Sequence, residues 1–224
     1  MAGRNTTGRA ARGALWLLFA LLSAAIATYA FRYLYAEINP HNPFHLAFAL
    51  AGNAVPLHFF GAGLALLLAP VQVLSAVRIR WPRLHRLLGW LYVLAVLQSG
   101  LAGLWLAPNA QGGWPTGLAF SLLAISWLVS TGLAVAYAVG RRYEQHRRWM
   151  LRSVALTFAA VTLRLYLVFG LAVLRVDFDI AYLAAAWLCW TLNLFAMEAY
   201  LRWRPLARPL RVPDTRSASQ PSGA

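Results

Sequence analysis

Six stretches of the chain are almost continuously apolar, at Ala14 to Leu34, Val55 to Val77, Leu87 to Ala107, Leu118 to Val139, Met150 to Leu174 and Ile180 to Leu201. A helix rises 1.5 Å per residue and the hydrocarbon core of a bilayer is ~30 Å thick, so each run predicts a helix long enough to cross. Helices satisfy their own backbone hydrogen bonds, which lipid cannot do for them. The pattern predicts an all-α polytopic membrane protein with six transmembrane helices in one bundle. The helical domain is expected over 14–203, between a disordered N-terminus at 1–13 and a disordered Pro-, Ser- and Arg-rich tail at 204–224. Ala25-Ile26-Ala27 has the small residues of a signal-peptide cleavage site. The apolar run around it exceeds the ~7–15 residues of a signal core, so it is expected to remain a helix.

Charge orients the six helices. All twenty basic side chains are arginines, and seventeen lie at one set of helix ends: Arg4, Arg9 and Arg12; Arg78, Arg80, Arg83 and Arg86; Arg141, Arg142, Arg147, Arg148 and Arg152; Arg202, Arg204, Arg208, Arg211 and Arg216. The opposite connections carry only Arg175 as a flanking base, against Glu37, Asp177 and Asp179. Arginine-rich flanks stay in the cytoplasm, so both termini are expected there. A net charge of +14 would suit a nucleic-acid partner, but arginines confined to the ends of apolar runs are explained by topology and by anionic lipid. The expected partner is the bilayer, with no nucleic acid. Arginine-only usage with abundant Ala, Leu and Gly is compatible with a GC-rich bacterial genome, and the expected location is a bacterial inner (plasma) membrane.

Chemistry must come from few residues. One cysteine, Cys189, permits no intramolecular disulfide or cysteine-based metal site, and there is no phosphate-binding glycine loop, nucleophile elbow or paired-carboxylate site. Polar groups inside hydrocarbon are costly and usually face a bundle interior. At 100° per residue, His58, Ala65, Ala69, Gln72 and Ala76 share one face of the second helix, with Gly61 beside them. His85, Gly89, Tyr92, Ser99 and Gly103 do so on the third, and His146, Ser153, Thr157, Ala160 and Arg164 on the fifth if it is helical from His146. Gly61, Ala65 and Ala69 predict a close helix contact. Arg164 falls near mid-membrane with no acid at its depth, leaving two expectations: pairing upward with Asp177 or Asp179, or receiving an anionic ligand group. Asn193 and Glu198 are further candidates on the sixth helix. His41 and His45 are a weak metal pair in a Pro-broken loop.

Several runs resemble the signature segments of the bacterial predicted-membrane-protein family called domain of unknown function 2306. They are His58-Phe59-Phe60-Gly61-Ala62-Gly63, Arg83-Leu84-His85-Arg86-Leu87-Leu88-Gly89-Trp90-Leu91-Tyr92-Val93, Gln111-Gly112-Gly113, His146-Arg147-Arg148-Trp149-Met150-Leu151-Arg152-Ser153, Leu163-Arg164-Leu165-Tyr166 and Trp190-Thr191-Leu192-Asn193-Leu194. The resemblance covers about His58 to Glu198. It implies no activity, but it places the polar positions inside shared segments. A more distant analogy is with ascorbate-linked transmembrane cytochromes b, six-helix proteins that hold two haems through histidines. Here the fourth apolar run contains no histidine, so the analogy extends to one haem at most.

The leading expectation is a redox membrane protein that binds haem or quinone. His85 and His146 would be the axial ligands of a haem b, His58 an outer ligand or hydrogen-bond partner, and Arg164 the partner of a propionate or a quinone carbonyl. Gln72, Tyr92, Asn193 and Glu198 are further ligand or pathway candidates. A quinone or a membrane redox partner goes with this expectation. One alternative is a small-solute or proton-coupled transporter with His58, Arg164, Asn193 and Glu198 along its path. Another is a scaffold or assembly subunit with no ligand.

Overall fold

The computed structural model describes residues 3–35 and 51–203 of the chain. Among these residues there are only helices and connecting turns. In chain order they are α1 (Gly3–Arg32), α2 (Ala54–Gln72), α3 (Ser75–Arg80), α4 (Pro82–Leu106, continued by a 3₁₀ turn at Ala107–Asn109), α5 (Trp114–Val139), α6 (Tyr143–Thr157), α7 (Ala159–Val168, continued by a π turn at Phe169–Val173) and α8 (Phe178–Trp203). Six helical segments are long and apolar enough to span a membrane, with α6, α7 and the π turn forming the fifth.

Each span packs on the next in sequence, and α6 also touches α2, so the second to fifth spans close into a four-helix ring. In this ring α4 and α6 lie diagonally across from one another, as do α2 and α5. The first span packs on α2 and on α7, and α8 packs on α5, α6 and α7. Small residues line the shared interior: Ala65, Ala69, Ala95, Ala119, Ala134 and Ala186 are buried, while leucines such as Leu17, Leu94, Leu101 and Leu192 are exposed. This is the arrangement expected where lipid replaces water, since apolar side chains gain nothing by hiding from hydrocarbon and close backbone approach supplies the packing. At Gly61 a Cβ would lie 2.7 Å from the carbonyl oxygen of Ala95, which explains why the second and third spans meet there.

The structure changes three sequence expectations. The first helix begins at Gly3 rather than Ala14, so residues 3–13 continue a helix where a disordered end was expected. Nothing in that segment is a proline, and ordinary helix formers such as Ala10, Ala11 and Arg12 prolong an established helix at little cost. The second span ends at Gln72, just past Pro70, with α3 separate from it. Proline cannot donate to the helix ladder, and with the helix ending at Gln72 the Pro70 carbonyl is left to accept from Trp16 Nε1 at 3.0 Å. The fifth span is helical from Tyr143, ahead of His146, but breaks at Phe158. There Asn193 Nδ2 of α8 donates to the Ala155 carbonyl at 3.1 Å and to Thr162 Oγ1 at 3.1 Å, while Thr162 Oγ1 donates to the Cys189 carbonyl at 2.9 Å. A neighbouring helix thus supplies the donor that the break removes, as an interruption inside a membrane requires. The expected tail at 204–224, together with Glu37, His41 and His45, lies outside the described residues.

Candidate functional site

The register of α4 against α6 organises the polar residues. Both helices start at the arginine-rich end, and both carry a histidine as their fourth residue, His85 and His146. Seven residues further on lie Tyr92 and Ser153, one rise of about 10 Å deeper and within about 20° of the same face. Tyr92 reaches across the ring: its hydroxyl is 2.8 Å from Ser153 Oγ and 2.7 Å from Thr157 Oγ1. From α5, Thr131 Oγ1 lies 2.7 Å from Ser153 Oγ, and Trp127 Nε1 donates to Thr157 Oγ1 at 2.9 Å. All five side chains are buried. They form a closed hydroxyl layer through the centre of the ring, with its donors and acceptors used among its own members. Tyr92 is therefore a structural crosslink between spans. Tyr92→Phe is expected to lower the melting temperature in detergent by an amount equivalent to about 1 kcal/mol, because Ser153 and Thr157 keep their other partners.

On the arginine-rich side of this layer the two histidines come within electrostatic range of each other. His146 Nδ1 donates to the Ala134 carbonyl of α5 at 2.8 Å, taken as the protonated nitrogen because a carbonyl can only accept. That leaves Nε2 as its lone-pair nitrogen. His85 Nδ1 is buried and has no hydrogen-bond partner among the described residues, while the His85 carbonyl accepts from Gln72 Nε2 at 3.3 Å. Gly89 lies one turn below His85, and a Cβ there would meet only Gln72 Oε1, at 3.7 Å. The site thus has two imidazoles within electrostatic range of each other, one of them oriented by a backbone carbonyl, on the arginine-rich side of the hydroxyl layer. Gln72 reaches this region from α2 through its bond to the His85 carbonyl.

The other candidates do not join this cluster. His58 sits toward the far end of α2 against α4, its Nδ1 2.9 Å from the Ser99 carbonyl and Ser99 Oγ donating to the His58 carbonyl at 2.9 Å. Gly103 leaves room for this ring: a Cβ there would be 3.2 Å from His58 Nδ1. Asn193 is used at the α6–α7 break. Glu198 is held by Arg152, with Nε to Oε1 at 2.5 Å and Nη2 to Oε2 at 3.0 Å, and Arg152 also lies over the Trp149 ring, Cζ to centroid 4.5 Å. The arginine bias alone put Arg152 among the flanking bases. Because α6 begins at Tyr143, it lies nine residues, about 13 Å, into the helix, deep enough to need the acid of α8.

Arg164 does not pair with Asp177 or Asp179, and the expected upward ion pair is corrected. Its Nη1 donates to the Ala160 carbonyl at 2.6 Å and its guanidinium covers the Tyr29 ring at 5.1 Å, while Asp177 Oδ1 accepts from the Asp179 backbone at 2.9 Å. Loop geometry turns the acids onto the start of α8, where carboxylates favour the helix N-terminus. His58, Tyr29, Tyr33 and Tyr182 lie within electrostatic range of Arg164. A cation left with a ring face and a carbonyl is incompletely compensated. Arg164→Leu is accordingly expected to raise the melting temperature, by an amount equivalent to about 1 kcal/mol, while Asp177→Asn with Asp179→Asn leaves it unchanged. Equal losses in both variants would restore the ion-pair account.

The fold and these intramembrane sites define a polytopic helical membrane protein. The chain belongs to the family described as predicted membrane protein (DUF2306), whose family model matches residues 55–201. No curated protein and no solved structure matches the chain.

Proposed function

We propose that this protein is a redox protein of the bacterial inner membrane that binds one haem b at the arginine-rich, cytoplasmic end of its four-helix ring, with His85 and His146 as axial ligands. The observation that carries this is their common register: each is the fourth residue of its helix, seven residues ahead of Tyr92 and Ser153, which touch across the ring axis. The hydrogen bond from His146 to the Ala134 carbonyl is the kind of support that fixes the tautomer and orientation of a ligating imidazole. The space beside Gly89, where a Cβ would meet only Gln72 Oε1, leaves room near His85 for the same use. A haem there would supply one-electron chemistry, and the chain would hold it and wall it off from the outer half of the membrane.

The visible spectrum of detergent-purified protein, oxidised and dithionite-reduced, tests this. A Soret and α-band difference is expected, and its absence from well-folded protein grown with adequate haem supply sinks the proposal. Transport is the second reading. The closed hydroxyl layer and the separate engagements of His58, Asn193 and Glu198 give it less support. The cytoplasmic assignment predicts that reporters fused after Gly140 behave as cytoplasmic and reporters fused after Gly113 as external.

A further inference from the structure

We infer that the arginine-rich end of α8 carries a binding site for one anionic phospholipid. A groove of about 490 Å³ runs along α8, walled by Trp190, Leu194, Phe195 and Trp203 and ending at Glu198 and Arg202. The mouth of the groove has an excess of positive charge: Arg152 chelates Glu198 through both carboxylate oxygens, and Arg148 and Arg202 also act on that carboxylate. Arg152 thus binds the acid directly, and two further arginines lie within electrostatic range of it. Arg148 is steadied by a contact from Nη2 to the Leu201 carbonyl at 3.4 Å, and Arg152 by the Trp149 ring.

The occupant follows from this combination. Guanidinium forks match phosphate oxygens, and basic pockets beside membrane helices hold anionic headgroups. An apolar groove leading away from the charges toward the membrane centre accepts an acyl chain. A phospholipid bearing a net negative charge satisfies both ends at once: its phosphate lies against Arg202 and Arg148, and a chain lies along Trp190, Leu194 and Phe195. A zwitterionic lipid brings its own cation to a site that already has two too many. The inference is independent of haem binding.

Native mass spectrometry of the full chain, titrated with phosphatidylglycerol or phosphatidylcholine of the same chain length, tests it. One phosphatidylglycerol per protomer is expected to bind roughly 30-fold more tightly than phosphatidylcholine, the factor that two uncompensated arginines near a membrane surface supply. Arg148→Gln with Arg202→Gln is expected to abolish the preference. Glu198→Gln removes the competing carboxylate and is expected to strengthen phosphatidylglycerol binding, which a purely structural ion pair would not do. Leu194→Trp fills the groove without altering charge and lowers occupancy by both lipids, so a misfolded arginine variant does not decide the matter. Equal binding of the two lipids, an unchanged preference in the double variant, or a lipid-free dimer that Leu194→Trp dissociates would overturn the site.

Discussion

Alanine at His85 or at His146 is expected to abolish the haem absorption bands while leaving the chain in the membrane. Each imidazole would supply one of the two bonds from the protein to the iron, and the remaining ligand alone would retain haem poorly. Neither residue drives insertion, which depends on the apolar runs and their arginine flanks. The two variants differ in a useful way. His146→Ala also removes the bond to the Ala134 carbonyl between α6 and α5, so a small additional loss of melting temperature is expected, of about 1 kcal/mol. His85→Ala removes a ring whose Nδ1 has no partner and should cost less stability. His58→Ala is the control: its partners are Ser99 and the open face of Gly103, and the bands should persist. Normal haem content in both the His85 and His146 variants would falsify the ligand assignment.

Valine at Gly61 is expected to be strongly disruptive to the ring. Its Cβ would stand 2.7 Å from the Ala95 carbonyl oxygen and 2.9 Å from Ser99 Cβ, and the first of these is backbone that no rotamer change can move. The second and third spans would have to separate, at a cost of about 3 kcal/mol by analogy with overpacked cores. Separation would also pull His58 from Ser99 and Gln72 from His85, so the effect should reach both ends of the contact. Gly132→Val is the comparison, because a Cβ there meets nothing within 4 Å and the residue is exposed on α5. Thermal unfolding in detergent should show a large loss for Gly61→Val and almost none for Gly132→Val. Similar losses would mean that close approach at Gly61 is not what holds these helices together.

The candidate site was partly visible before any fold was known. The stripe through His85, Gly89 and Tyr92 and the stripe through His146, Ser153 and Thr157 follow from helical periodicity alone. Periodicity says which residues share a face, but not which faces meet. That α4 and α6 stand diagonally in the ring, so that Tyr92 bonds Ser153 and Thr157 rather than a ligand, depends on how four helices close around an axis. Arg152 illustrates the opposite failure. Its position near a run of arginines resembles topology, and its partner Glu198 lies forty-six residues away. The useful signal was a lone acid in the sixth span, since a carboxylate at that depth requires a cation nearby.

By itself the sequence determined that this is a six-span helical membrane protein, how its polar residues are distributed on each helix, and which ends share the arginines. Hydrocarbon thickness sets the length of every span, and each helix meets its backbone hydrogen bonds locally, so neither property needs knowledge of a neighbour. Tertiary structure decided the rest. It broke the fifth span at Phe158, where Asn193 of another helix repairs the ladder, withheld Asp177 and Asp179 from Arg164, and joined α4, α5 and α6 through a buried hydroxyl layer. Each outcome turns on a polar group finding or missing a partner on a different helix, and in a medium without water that choice is made by packing.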